Sequence, residues 1–255
     1  MAKKIYGVSP AKIYGTVQEK AYGIDLSIAS TPTSLLWTVK TDNAGTSGST
    51  QFTFPTLSSG TYDCVVNWGD GGAESTITTY NNAAWTHTFA GGAGTYDIEI
   101  TGQCEGAFFN DGGDKLKLLE IKRWGVDFRL ESGSYWNAYF FGCSNLVISA
   151  TDTLNLSGTD SLQSAFRSNT ALTAIPNMGD WDITAITTMI YMLYLSTLST
   201  ANYDTILVGW ESQAVTSSVN CWMGGSKYTG GSAAATARAA LISDHSWSIT
   251  DGGTA

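Results

Sequence analysis

Charge is what this sequence has least of. Asp, Glu, Lys and Arg make up only 14% of its 255 residues, and positive charge is the scarcer sign, 13 Lys and Arg against 22 Asp and Glu, for a formal net charge of −9. Nucleic-acid binding needs a cationic footprint that displaces phosphate counterions, and Lys3–Lys4 with Lys12 and Lys20 is too sparse to provide one, so no nucleic-acid partner is expected. Long apolar runs are also missing, which argues against insertion into a membrane. The stretch Ile5 to Pro10 behind the two lysines is too short and polar for the apolar core of a secretory signal. The chain therefore reads as made in the cytoplasm unless a leader has been removed. Histidine occurs only at His87 and His245, and the four cysteines, Cys64, Cys104, Cys143 and Cys221, form no CxxC pair, so no metal site is expected. Buried free thiols are the ordinary fate of such cysteines, a Cys64–Cys104 disulfide being the alternative if their strands are neighbours.

Catalytic signatures are absent too. There is no G-x-S-x-G elbow, no P-loop and no dinucleotide fingerprint. His87 sits within a strand-like motif, and His245 lies beside a Trp with no evident carboxylate or nucleophile. No catalytic residue is assigned and an enzyme is not expected, although two carboxylates brought together from distant loops would leave no mark in a sequence. No cofactor is expected either. Asn110, Asp111 and Asp114 share a loop that suits a calcium ion, but turn chemistry accounts for the same residues without EF-hand spacing.

What the chain does have is glycine, 28 residues, and 43% hydrophobic residues set in Thr-, Ser- and Tyr-rich alternating stretches. That is the composition of a mainly β protein. Four segments follow from the patterning. Residues 1–33 repeat Lys4-Ile5-Tyr6-Gly7, Lys12-Ile13-Tyr14-Gly15 and Lys20-Ala21-Tyr22-Gly23 at a spacing of eight. Units this small cannot bury their own faces. The segment is read either as a meander of the next domain or as an arm that docks onto a larger assembly through Tyr6, Tyr14 and Tyr22.

Residues 34–102 alternate as a β-sandwich does. Tyr62, Cys64, Val66 and Trp68 share one strand face, Tyr96, Ile98 and Ile100 another, and Phe52, Phe54, Trp37 and Val39 extend the set. Gly69-Asp70-Gly71-Gly72 is hairpin-turn chemistry. Residues 103–200 carry a longer period. Leu130, Trp136, Tyr139, Phe140 and Leu146 recur 26 residues later as Leu156, Leu162, Ala165, Phe166 and Leu172, and again, with one residue inserted, as Ile183, Met189, Met192, Leu193 and Leu198. Leucines at this period mark a short leucine-rich solenoid, whose coils bury their inner faces only by stacking. Residues 201–255 predict a small α/β C-terminal cap. Tyr203, Ile206, Leu207 and Trp210 fall on one helix face, Ser232 precedes an alanine-rich helix, and Trp247 and Ile249 alternate in a last strand.

Two resemblances accompany this reading. Trp68-Gly69-Asp70-Gly71, His87-Thr88-Phe89 and Gly94-Thr95-Tyr96 follow in the order of the polycystic-kidney-disease (PKD) domain pattern, with Phe89 where the family has Tyr. The resemblance implies an immunoglobulin-like sandwich acting as a spacer or adhesive module. Phe141-Gly142-Cys143-Ser144-Asn145-Leu146, Ile175-Pro176-Asn177-Met178 and Trp181-Asp182-Ile183 onward to Met189 and Met192 resemble the BspA-like leucine-rich repeats of bacterial and phage surface proteins, with Ile186 for Val and Leu193 for Phe.

The aromatic run Tyr135-Trp136-Asn137-Ala138-Tyr139-Phe140-Phe141 suits a ligand platform, but the register assigns Trp136, Tyr139 and Phe140 inward and leaves Tyr135 as its exposed candidate. Trp222 and Tyr228 are the other candidate binding residues. Extracellular-type modules without a visible leader imply a non-enzymatic bacteriophage virion surface protein: a fibre, tail or capsid-decoration component. Its arm would dock on other virion proteins, and its adhesive region would meet a glycan or protein on the host surface, with homo-oligomers compatible. The alternative is a bacterial cell-surface adhesin.

Overall fold

The computed structural model describes residues 20–21, 24–25, 33–130 and 137–255. The chain divides into two compact units, Met1–Thr31 and Pro32–Ala255. In the first, β1 (Lys20–Ala21) and β2 (Ile24–Asp25) pair antiparallel. Tyr6, Tyr14 and Tyr22 lie outside the described residues, as do Tyr135 and Trp136. Strand outweighs helix, 25% to 13%, so the protein is mainly β, with parallel and antiparallel pairings mixed.

The second unit opens with β3 (Leu35–Lys40), β4 (Gln51–Thr53), β5 (Tyr62–Asn67), β6 (Ser75–Ile77), β7 (Thr86–Thr88) and β8 (Thr95–Glu105), followed by β9 (Leu118–Arg123), β10 (Phe128–Arg129) and β11 (Val147–Ile148). One sheet runs β11–β9–β3–β8–β5–β6, with β10 parallel beside β8, while β4 and β7 pair separately. Period-two patterning selects the faces. Along β5, Tyr62, Cys64 and Val66 are buried and Asp63, Val65 and Asn67 exposed. The β4–β7 layer covers the buried face through aromatic stacking, with Phe54 4.9 Å from Trp37 and 4.7 Å from Trp85 between ring centroids. The turn joining β5 to β6 needs its glycines. Gly69 has φ +76°, and a Cβ there would lie 2.2 Å from the Asp97 carbonyl oxygen.

The expected boundary between residues 102 and 103 falls inside β8. Its last residues pair with Tyr62 on one side and, in parallel, with β10 on the other, Phe128 opposite Cys104. Beyond it the chain stacks on itself. Gly113, Gly142, Ser168, Leu195, Gly224 and Gly253 all have positive φ, 26 to 29 residues apart. Between successive turns the amide of Asp111 donates to the Phe141 carbonyl, Gly142 to Arg167, Ser168 to Tyr194 and Met223 to Thr250. Apart from β9, the strands in this stack are two or three residues long, so side chains finish the pairing. Asn145 donates to the Leu116 carbonyl at 2.8 Å and Asn155 to Val126 at 2.9 Å, while Asn202 both donates to the Ile175 carbonyl and accepts from its amide.

The stacking continues through residues 201–255, where β13 (Asn220–Trp222) and β14 (Ser248–Thr250) extend β12 (Thr188–Met189) in a parallel ladder. Two helices are built into these turns. α1 (Thr200–Glu211) starts at Ser199, whose hydroxyl accepts from the Asn202 amide, and buries Tyr203, Ile206, Leu207 and Trp210. α2 (Ala233–Ser243) starts at Ser232, whose hydroxyl accepts from Ala234 and Ala235. The described period landmarks from Leu130 to Leu198 are buried, and they join the residues of the β layers in one hydrophobic cluster. Trp37 bridges the two, 5.8 Å from Phe140.

All four cysteines are buried and free. Cys64 and Cys104 sit on adjacent strands but out of register, Cys64 facing Gly102 and Cys104 facing Tyr62. Burial pushes the Cys64 thiol up to about 11 and raises the other three well above the ordinary thiol value, which makes them poor nucleophiles.

Candidate binding surface

The clearest polar constellation in the β layers is the pair of motifs around Asp70 and His87. His87 Nε2 lies 2.8 Å from one Asp70 oxygen, which also accepts from the Ala90 amide, while the other oxygen accepts from Gly72. The imidazole stacks flat on Trp68, 4.7 Å between centroids and 3° from parallel. The bond from His87, with help from the Gly72 and Ala90 amides, holds the Asp70 carboxyl down at about 2 against the opposing effect of burial. Every group here is engaged with a neighbour in the fold. The arrangement ties the β5–β6 turn to β7.

The Asn110–Asp114 loop is used in the same way. Asp111 pairs with Lys115, whereas Asp114 accepts from the Ser47 amide and hydroxyl and from the Thr53 amide. Beside it the fully buried Lys117 donates to the carbonyls of Ser47, Gly48 and Gln51 and to the Ser47 hydroxyl. Burial lowers its pKa, and the neighbouring Asp114 opposes that shift. These carboxylates point to separate partners and pin the 46–53 segment down. Among the described residues no group of three or more His, Cys, Asp or Glu could hold a metal ion, and no helix is long and apolar enough to cross a membrane.

A different kind of cluster lies on the outside of the stacked turns. Phe141, Arg167 and Tyr194 occupy equivalent places in three successive turns, each directly after a buried landmark, Phe140, Phe166 or Leu193. The Arg167 guanidinium carbon stands 4.7 Å from the Phe141 ring centroid, 5.4 Å from Tyr194 and 5.5 Å from Tyr191. Trp222, on β13, continues the row, its ring 4.5 Å from Tyr191 and 6.1 Å from Tyr194. Its indole N–H donates to the Asn220 side chain at 2.9 Å. Phe141, Arg167, Tyr191 and Trp222 are partly exposed, Tyr194 is 37% exposed and the adjoining Leu195 61%. Four rings and a cation thus share one surface. Aromatic faces stack on the C–H faces of sugars or anchor a protein partner.

Of the residues the sequence nominated, Trp222 belongs to this row. Tyr228 does not join it; its ring lies 5.1 Å from the Arg238 guanidinium, which in turn binds Asp251. Tyr135 lies outside the described residues. Phe141, Arg167, Tyr191 and Tyr194 were not singled out, although the 26-residue register held the signal. For Phe141, Arg167 and Tyr194 that signal is the place directly after Phe140, Phe166 and Leu193; Tyr191 carries no such mark. Comparison with family models, with curated proteins and with solved structures returned no match.

Proposed function

We propose that this chain is a non-enzymatic recognition protein of a bacteriophage virion surface, a fibre, tail or capsid-decoration component. Residues 1–33 dock it on the particle, a PKD-like, immunoglobulin-like sandwich serves as a rigid spacer, and BspA-like leucine-rich coils face the host. Support for the spacer comes from the motif residues, since Trp68, Asp70 and His87 bind one another and rigidify a turn. Support for the coils comes from the left-handed positions and amide bonds recurring at the spacing of the repeat. The observation that carries the reading is the row of partly exposed aromatics with Arg167 across successive turns. Large aromatics outside a core are normally covered by something.

The test is binding to susceptible host cells, by the intact chain and by a Tyr194→Ala, Trp222→Ala double variant. Saturable binding that the double variant lowers about tenfold or more is expected. Cell binding by neither form sinks the recognition role. Mass spectrometry of purified particles, with and without residues 1–33, tests the setting. Incorporation that survives the deletion defeats the docking arm, and a chain found in the bacterial envelope but not in particles is a cell-surface adhesin instead.

A further inference from the structure

Arg167 is an anomaly among the arginines. The sequence has four. Arg123 pairs with Glu99, Arg129 with Glu105 and Arg238 with Asp251. Arg167 has no carboxylate partner among the described residues; its neighbours are the rings of Phe141, Tyr191 and Tyr194. Its Nε is buried without a hydrogen-bond partner. Two turns earlier, against Gly142 of the intervening turn, Lys115 and Asp111 are occupied with each other. A guanidinium offers five N–H donors in a planar fork, and leaving one of them buried and unmatched is costly. Ring faces offset part of that cost, but they accept no directed hydrogen bond. In a chain with a net charge of −9, a cation held between aromatic faces has no counter-anion there among the described residues.

We propose that Arg167 and the surrounding rings form the specificity site of this surface, and that the ligand is a saccharide bearing a carboxylate. The inference rests on the recognition role proposed above. A uronic- or sialic-acid-type unit offers both halves of the complement. Its C–H face stacks on Trp222, Tyr191 or Tyr194, and its carboxylate takes the guanidinium fork in a bidentate, charge-assisted pair. The rings around Arg167 exclude water and strengthen that pair relative to one in open solvent. The column position agrees. The turns on either side place Phe141 and Tyr194 where this one has Arg, so a single cation interrupts an apolar row at its middle.

The intact chain is passed over an array of uronate- and sialate-bearing oligosaccharides, each beside its neutral counterpart in which the carboxyl is methyl-esterified or reduced. Retention on the acidic members about tenfold or more above their neutral partners is expected, falling as salt is raised. Arg167→Gln should lower acidic binding to the neutral level, Arg167→Lys should restore part of it, and Trp222→Ala should weaken acidic and neutral binding alike. Methyl-esterification removes the charge from the ligand, so the test stands even if the Arg167 variants fold poorly. Equal binding to acidic and neutral sugars, lost with Trp222→Ala but not Arg167→Gln, overturns the carboxylate and leaves the recognition role standing. Capture of a peptide C-terminal carboxylate with no sugar bound overturns the saccharide. Host-cell binding with silence across the array also defeats this inference alone, while silence on both array and cells defeats it together with the proposed function.

Discussion

Asp70 has a side chain only 4% exposed, and it accepts from His87, Gly72 and Ala90. With a folded-state pKa of about 2 against an ordinary 3.8, the unfolded chain takes up the proton first as pH falls. The contribution of Asp70 is therefore complete above the unfolded value and drains away as pH drops toward 2; it amounts to about 2 kcal/mol. Urea midpoints measured from pH 7 to pH 2 should show Asp70→Asn less stable by about that amount at neutrality, with the gap closing at the acid end. A constant gap across that range would mean that the carboxylate charge is irrelevant. Leu195 is the converse case, a non-glycine at φ +62° with 61% of its surface exposed, in a column where Gly142 and Gly224 hold the same conformation. Left-handed backbone costs a side chain about 1–2 kcal/mol, partly balanced by the greater chain entropy glycine loses on folding. Leu195→Gly should raise stability by about 0.5–1 kcal/mol and Leu195→Ala should not, as read by thermal melts.

At the scale of an element, α1 shows where local preference and packing disagree. Its buried stripe of Tyr203, Ile206, Leu207 and Trp210 follows from sequence, and the structure places Ser199 at its cap. Gly209 inside it is out of place by propensity, since Ala there would favour a free helix by about 1 kcal/mol. Packing supplies the reason. A Cβ on Gly209 would lie 2.4 Å from the Gly179 carbonyl oxygen, so glycine lets the helix settle onto the turn beneath it. Trp210 locks the same contact by donating to the Met178 carbonyl at 3.0 Å. Gly209→Ala is therefore expected to destabilise, by about 1–2 kcal/mol in chemical denaturation, reversing the sign that helix propensity alone predicts. A stabilised variant would show that α1 is held loosely.

For the molecule as a whole, the junction of β layers and stacked turns is the decisive feature. β8 pairs with β5 and β3 within the layers and with β10 in parallel, and β9 pairs with β3 on one edge and β11 on the other. Trp37 packs against Phe54 on one side and Phe128 and Phe140 on the other. Neither part has a face it can close without the other. Calorimetry of the full chain should accordingly give one cooperative transition for Pro32–Ala255, with matching calorimetric and van't Hoff enthalpies. Two separated transitions would show that the layers and the turns fold independently. The same continuity makes the aromatic row rigid, since its members are carried on hydrogen-bonded backbone from Phe141 to Trp222.

Much of this could be read from the sequence because hydrophobic burial is periodic. Alternation in Tyr62–Trp68 marked the inner face of a strand, the 26-residue register marked the inward landmarks, an apolar stripe marked the first helix and Ser232 the start of the second. These are local signals, set by backbone geometry and the cost of leaving large side chains in water. Three things were decided only by tertiary structure. The chain carries parallel stacking on through residues 201–255, because the pairing of Thr188 with Asn220 and of Asn220 with Ser248 depends on what lies between them. Asp114 and Lys117 became the anchor of a segment some seventy residues earlier. Arg167 has aromatic neighbours and no acid among the described residues; the register marks its row, but hydrogen bonding and charge pairing over long separations leave no periodicity in a sequence.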